Sequence, residues 1–145
     1  MIATRNEPLV SLLSRVARDL QTELTDLLAP YDVSVDQWRI LDVLGDGQGR
    51  PMGELAGATF LHGPTLTKAC DRLIERGLLY RRPDELDRRR VIVDISHDGR
   101  RLLRTLTSHV VAQQQRLEAD LGTQQAALVD ALRCLDPLTV ESRME

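Results

Sequence analysis

Aromatic side chains are scarce: Tyr31, Trp38, Phe60 and Tyr80 are the only four in 145 residues. A core built almost without them has to be aliphatic, drawn from Leu, Ile, Val and Ala. Cysteine is scarcer. Cys70 and Cys134 are too few for a disulfide framework and fit a reducing cytosol. No apolar run approaches the roughly 18 residues that a membrane-spanning helix needs. The segment Met1–Pro8 lacks the apolar stretch of a secretory signal. These absences read against a secreted, membrane-spanning or disulfide-stapled protein, and a cytoplasmic location is expected. Catalytic machinery is missing too. His62, His97 and His109 have no metal-ligand spacing with one another or with the cysteines. Ser96, His97 and Asp98 are sequence neighbours, which makes a helix start and not a triad assembled in space. No glycine-rich phosphate loop is present. The chain is expected to be no enzyme and to hold no metal or cofactor.

Lysine is nearly absent as well, and here the absence points somewhere. Of the nineteen basic residues eighteen are Arg, the exception being Lys68. Arginine is the side chain suited to planar, bidentate contact with phosphates and bases. The net charge of −3 hides an asymmetry. Between Lys68 and Arg104 eleven basic residues face seven acidic ones, whereas the rest of the chain has eight against fifteen. A basic middle inside an acidic chain implies one surface turned toward a polyanion; a solvated charged face is the alternative.

The apolar periodicity is helical at both ends. Leu9, Leu12, Leu13, Val16, Leu20, Leu24, Leu27 and Leu28 form a stripe on a long helix ending near Pro30. Ser34, three residues before Gln37, has the spacing of a capping box and opens a second helix through Leu44. After the glycine-rich turn at 45–49, Pro51 is expected at the first position of a short third helix. A fourth starts at Gly63-Pro64, with Leu66, Ala69, Cys70, Leu73 and Ile74 on its inner face and Gly77 as its cap. The period then shifts to that of a two-stranded hairpin, 78–82 and 90–95, around a polar turn. Ser96 caps a long fifth helix, Gly122-Thr123 interrupts it, and a last helix ends at Pro137 before a tail expected to fray.

Short helix, turn, helix and hairpin in that order make a winged helix-turn-helix, so the fold class is mainly α with a small β wing. In such modules the second helix enters the major groove and the hairpin reaches the backbone or minor groove. Pro64, Thr65, Thr67, Lys68 and Arg72, around the outer face of the fourth helix, are the candidate readers of base and phosphate. At the hairpin tip, Asp87 stands beside three consecutive arginines, Arg88, Arg89 and Arg90. A narrow minor groove concentrates negative potential and attracts an inserted Arg. The amphipathic terminal helices find little to cover in the compact middle, which implies a homodimer; a monomeric bundle is the alternative. Residues 1–33 and 97–145 are accordingly assigned to dimerisation and 34–96 to DNA binding, in one integrated domain. The rival to DNA binding is a winged module that docks a protein.

Leu55-Ala56, Pro64-Thr65-Leu66-Thr67, Asp71 through Leu78, and Asp87-Arg88-Arg89 through Ser96-His97-Asp98-Gly99 resemble the MarR family of bacterial transcriptional regulators. Gln37 through Leu41 resembles it too, and the likeness runs from Leu9 to about Leu135. Its most specific element is the Asp-x-Arg of the wing, Asp87 and Arg89. The resemblance implies a homodimeric repressor on a pseudo-palindromic double-stranded DNA site, with Arg89 in the minor groove and Asp87 orienting it. Two positions depart from the pattern: Phe60 stands where many members have Gly, and His62 where a Ser often caps the recognition helix. The resemblance further implies release from DNA by a small aromatic or phenolic effector. Ser11, Arg15, Tyr31, Trp38 and Arg39 are the candidate lining residues. Core packing for Trp38, and internal ion pairs for the two arginines, are the alternatives. Cysteine-based oxidant sensing, also known in the family, is not expected: Cys70 lies on an inward stripe and Cys134 near an apolar face.

Overall fold

A computed structural model describes residues 7–136; the stop at Pro137 and the tail lie outside the described residues. The chain divides into two compact units, one ending at His109 and the other beginning at Val110.

The first unit opens with α1 (Leu9–Leu28), whose stripe is covered only at its end: Leu24 and Leu28 are buried, while Leu9, Leu12 and Val16 are 60%, 40% and 46% exposed. A single 3-10 turn, Ala29–Tyr31, carries the chain past Pro30 into α2 (Val35–Leu44). The capping box forms in both directions: the Gln37 backbone N–H donates to Ser34 Oγ at 3.1 Å, and the Ser34 N–H donates to Gln37 Oε1 at 3.0 Å. Two orphan donors at the helix start are thereby satisfied.

The next element departs from expectation. Arg50–Pro51 forms a short strand, β1, and Pro51 is the cap preceding α3 (Met52–Thr59), not its first residue. β1 pairs antiparallel with β3 (Val91–Ile95), which also pairs antiparallel with β2 (Leu79–Pro83). The wing is therefore a three-stranded sheet in the order β1-β3-β2, and not the two-stranded hairpin of the sequence reading. Proline is tolerated in β1 because it lies at the sheet edge.

Between α3 and α4 (Gly63–Glu75) the chain turns through Phe60, whose φ of 58° puts a bulky residue in the left-handed region. That conformation costs a non-glycine residue roughly 1–2 kcal/mol. Thr59 fixes the approach; it is buried, and its hydroxyl donates to the Leu55 carbonyl at 2.7 Å. His62 precedes α4 without a side-chain capping bond.

At its far end α4 closes as predicted. Gly77 adopts φ 70°, its N–H donates to the Ile74 carbonyl, and the Leu78 N–H reaches back to Leu73 O at 2.9 Å. Those two bonds are a Schellman cap, which satisfies carbonyls the helix leaves open. Leu78 then meets the start of α5 (His97–Leu121): its carbonyl accepts the Ser96 N–H at 3.0 Å, and Ser96 Oγ donates to Gly77 O at 2.6 Å. Ser96 Oγ also accepts the Gly99 N–H at 3.0 Å, the cap expected of it.

The core of this unit is aliphatic, with Leu28, Ile40, Leu41, Leu44, Leu55, Leu66, Leu73, Val93, Ile95 and Leu106 fully enclosed. Each such side chain contributes about 1.5–3 kcal/mol relative to exposure. One carboxylate joins them. Asp94, on β3, is 4% exposed and is met by Arg82 Nε at 3.2 Å across the sheet and by the Ile95 N–H at 2.8 Å. Arg82 also donates to the Gln48 carbonyl at 3.3 Å, tying the glycine-rich turn to the base of the wing.

The second unit holds the end of α5, a 3-10 turn at Gly122–Gln124 where the interruption was expected, and α6 (Gln125–Leu135). None of the α6 side chains is buried; Leu128, Leu132 and Leu135 are among the exposed apolar residues.

A Cβ on Gly99 would overlap the Leu78 carbonyl oxygen and stand 2.8 Å from Ile95 Cγ1, so Gly99→Ala is expected to lose about 2–4 kcal/mol. Gly57→Ala, with open space around it in α3, is expected to gain about 0.5–1 kcal/mol. Thermal and urea denaturation of the two variants side by side checks the contrast. Arg82→Met leaves the Asp94 carboxylate buried without its cation and is expected to cost about 3 kcal/mol, read as a lower urea midpoint at unchanged slope.

Candidate nucleic-acid interface

α4 presents two unlike faces. Leu66, Ala69, Cys70 and Leu73 are buried, and Pro64, Thr65, Thr67, Lys68 and Arg72 are all exposed. The alternation follows from apolar residues three and four apart on a 3.6-residue period. The five candidate readers thus lie at the surface of the helix that the turn at Phe60–His62 introduces. Burial pushes the Cys70 thiol up to about 11, so at neutral pH it stays protonated and a poor nucleophile. Cys134, on α6, is exposed.

The wing apex is built by two side-chain turns. Asp84 Oδ1 accepts the Leu86 N–H at 3.0 Å, and Asp87 Oδ1 accepts the Arg89 N–H at 3.1 Å. The Arg90 N–H donates to the Asp87 carbonyl at 2.9 Å, and its own carbonyl accepts the Asp84 N–H, which closes the loop. On this frame the arginines diverge. The Arg89 side chain is 95% exposed, with Nε 3.5 Å from Asp87 Oδ1. Arg90 turns back to the body, 3.6 Å from Glu54 of α3 and 3.9 Å from Asp84. Arg88 is exposed.

One link escaped the sequence reading. Arg81 of β2 donates to Asp71 of α4 at 2.6 Å, joining the wing directly to the outer edge of the recognition helix. With Arg82–Asp94 and Arg90–Glu54, three arginines brace the wing, while Arg88 and Arg89 remain exposed at the tip. Alternation along β2 sends Arg81 and Arg82 to opposite faces, a signal present in the sequence, but the partners' identities were not.

The five candidate effector-lining residues, on α1, the α1–α2 corner and α2, each have their own surroundings. Ser11 is exposed on α1, and Arg15 is held by both carboxylate oxygens of Glu7. The Arg39 guanidinium lies 3.3 Å from Asp36. The Tyr31 hydroxyl and His109 Nε2 share a hydrogen bond of 2.7 Å that ties the α1–α2 corner to α5. Trp38 is half-buried, and its Nε1–H is the one buried side-chain polar group without a hydrogen-bond partner among the described residues. An open cleft of about 530 Å³ lies elsewhere, between the α1–α2 corner and the end of α4, lined by Ser34, Gln37, Arg72 and Arg76 among others. Arg76 is engaged there, donating to the Asp32 and Tyr31 carbonyls at 2.6 and 3.1 Å. No cluster of three metal-ligating side chains occurs among the described residues, and none of their helices is long and apolar enough to cross a membrane.

Comparison with known proteins agrees with this architecture. A family model described as MarR family matches residues 31–90, the stretch from the α1–α2 corner to the wing tip. The chain is 26% identical over 113 residues to the HTH-type transcriptional regulator FarR of Neisseria gonorrhoeae, covering 78% of this chain and 77% of that one. Among solved structures it resembles the transcriptional repressor CouR bound to a 23-mer DNA duplex, with a TM-score of 0.81 and 26% identity over 88% of this chain and 92% of that one. It also resembles BpsR of Bordetella bronchiseptica, whose DNA binding is regulated by 6-hydroxynicotinic acid, with a TM-score of 0.82 and 24% identity over 93% and 97%. Winged module, wing-tip Asp-x-Arg and these likenesses together place the chain in the MarR family, whose members are DNA-binding transcriptional regulators and not enzymes.

Proposed function

We propose that the protein is a homodimeric cytoplasmic repressor that reads a pseudo-palindromic site on double-stranded DNA and is released by a small aromatic or phenolic acid. The observation that carries the DNA contact is the wing apex, where Arg89 projects into solvent beside Asp87 while its neighbour Arg90 is retained by the body. A cation held clear of its own protein suits the narrow minor groove. Pro64, Thr65, Thr67, Lys68 and Arg72 then meet base edges and phosphates in the major groove, and Asp87 limits the arcs open to Arg89. Arg88 adds charge at the same edge. A winged module serving only to dock another protein gains nothing from such a tip.

The dimer is supported by what a single copy leaves uncovered. Leu9, Val10, Leu12 and Val16 on α1, Val111 on α5, and Leu128, Leu132 and Leu135 on α6 are all at least 40% exposed. Apolar faces on both terminal segments, 1–33 and 97–145, are what a second copy would bury, leaving 34–96 to bind DNA. Two half-sites one helical turn apart are the geometric consequence.

The effector reading draws on Trp38. A buried indole N–H without an acceptor is costly, so a partner supplied by a ligand or by the second subunit is favoured. Ser11, Arg15, Tyr31 and Arg39 complete the group we assign to effector recognition, an aromatic acid being the class that an indole and a guanidinium suit. Regulation of BpsR by 6-hydroxynicotinic acid is a precedent in a protein of the same fold.

Fluorescence anisotropy against a duplex enriched from a random library by the wild-type protein tests the DNA contact. Arg89→Ala is expected to weaken binding by about 1–3 kcal/mol and to reduce the salt dependence, with the dimer intact. Unchanged affinity would remove the wing from the interface. For the dimer, sedimentation equilibrium is expected to show two copies at micromolar concentration, and Leu12→Asp together with Leu128→Asp to shift the mass to one.

A further inference from the structure

We propose that Phe60 is a specificity contact: its ring leaves the turn before α4 to pack against apolar carbon of bound DNA, a thymine methyl or a deoxyribose face. Two independent observations point there. The first is backbone conformation. Gly47, Gly49, Gly77 and Gly122 occupy four other left-handed positions, and Asp32, a short polar residue that tolerates the region, occupies a fifth. Among the described residues, only at Phe60 does a bulky apolar side chain sit at positive φ, 58°, where glycine would be free of strain. The second is exposure. The ring is 68% exposed, so burial within its own chain does not offset that strain, although it is the only phenylalanine the protein has. A residue that strains the backbone and packs on little serves something outside the chain.

Position identifies the partner. Phe60 lies three residues before Gly63, at the end of α4 whose first turn carries Pro64, Thr65 and Thr67 to the surface. Thr59, buried and bonded to Leu55, anchors the turn, so the ring is presented from a fixed backbone. An aromatic ring at that edge of a major-groove surface meets thymine methyls and the carbon side of the sugar. It adds apolar readout to a surface whose other members are hydroxyls and cations.

This inference rests on the DNA-binding reading, and the experiment separates the two. Full-length wild type selects duplexes from a random library; enrichment of no sequence would fail the DNA-binding reading itself, and this inference with it. Against the enriched duplex, Phe60→Gly is expected to melt at or above the wild-type temperature and to bind about three- to thirtyfold more weakly, the range of one good apolar contact. The slope of log affinity against log salt should not change, because an apolar contact releases no counterions. Phe60→Leu should recover most of the loss. Wild-type affinity in Phe60→Gly overturns the proposal while leaving DNA binding intact. So does a loss accompanied by a lower melting temperature or a shallower salt slope, either of which marks a structural or electrostatic role. In the selected duplex, a thymine whose replacement by deoxyuridine weakens wild type but not Phe60→Gly assigns the contact to the methyl; the sugar face is assigned where no thymine behaves so.

Discussion

The carbonyl of Leu78 and the few atoms around it set the geometry of the winged module. The Schellman cap that ends α4 delivers Leu78, the same residue leads into β2, and its oxygen accepts the Ser96 N–H that ends β3 and starts α5. Ser96 Oγ closes the knot by donating to Gly77 O and accepting from Gly99. Four elements are thereby joined within a few residues, and Gly99 is the only residue type that fits against the oxygen. The angle between α4 and the wing is set here, so it derives from backbone bonds, which any non-proline residue supplies, plus one absent Cβ.

Charge is then distributed over that rigid frame. Arginine braces the wing at Asp71, Asp94 and Glu54, and each brace ties a cation of the wing to a carboxylate of the same chain. Left exposed at the apex are Arg88 and Arg89, the latter 3.5 Å from Asp87 and itself almost fully exposed. Exposed pairs of this kind contribute little to stability, about 0–1 kcal/mol, so their value lies in orientation. The Arg82–Asp94 pair is different, because its carboxylate is buried: separation would strand that charge in the core, and so the pair holds the sheet in one register.

The terminal helices are organised by the opposite logic. Their apolar residues repeat as regularly as those of α4, yet most of α1 and all of α6 stay uncovered within the chain. Periodicity reports that a face will be buried and is silent on what buries it. The unpaired Trp38 N–H is the polar counterpart, a donor whose acceptor the single chain does not provide among its described residues.

Features set by residues three or four apart are legible in the letters alone: the helices, the Ser34 and Ser96 caps, the Gly77 stop and the inward stripe of α4, and with them the basic middle of the chain. Those depend on local hydrogen bonds and on the helical period, both legible in a string of letters. The short strand β1 was not legible, since its two residues join a sheet only because β3 offers a free edge. Nor could the sequence say that Arg81 belongs to Asp71 and Arg90 to Glu54, or that Arg89 stands nearly fully clear. Such pairings join residues ten to dozens apart, and their distances follow from how elements pack, which no local pattern encodes. Phe60 lies between the two cases: its departure from glycine was visible in the sequence, but only the folded turn decided that the residue would be both strained and exposed.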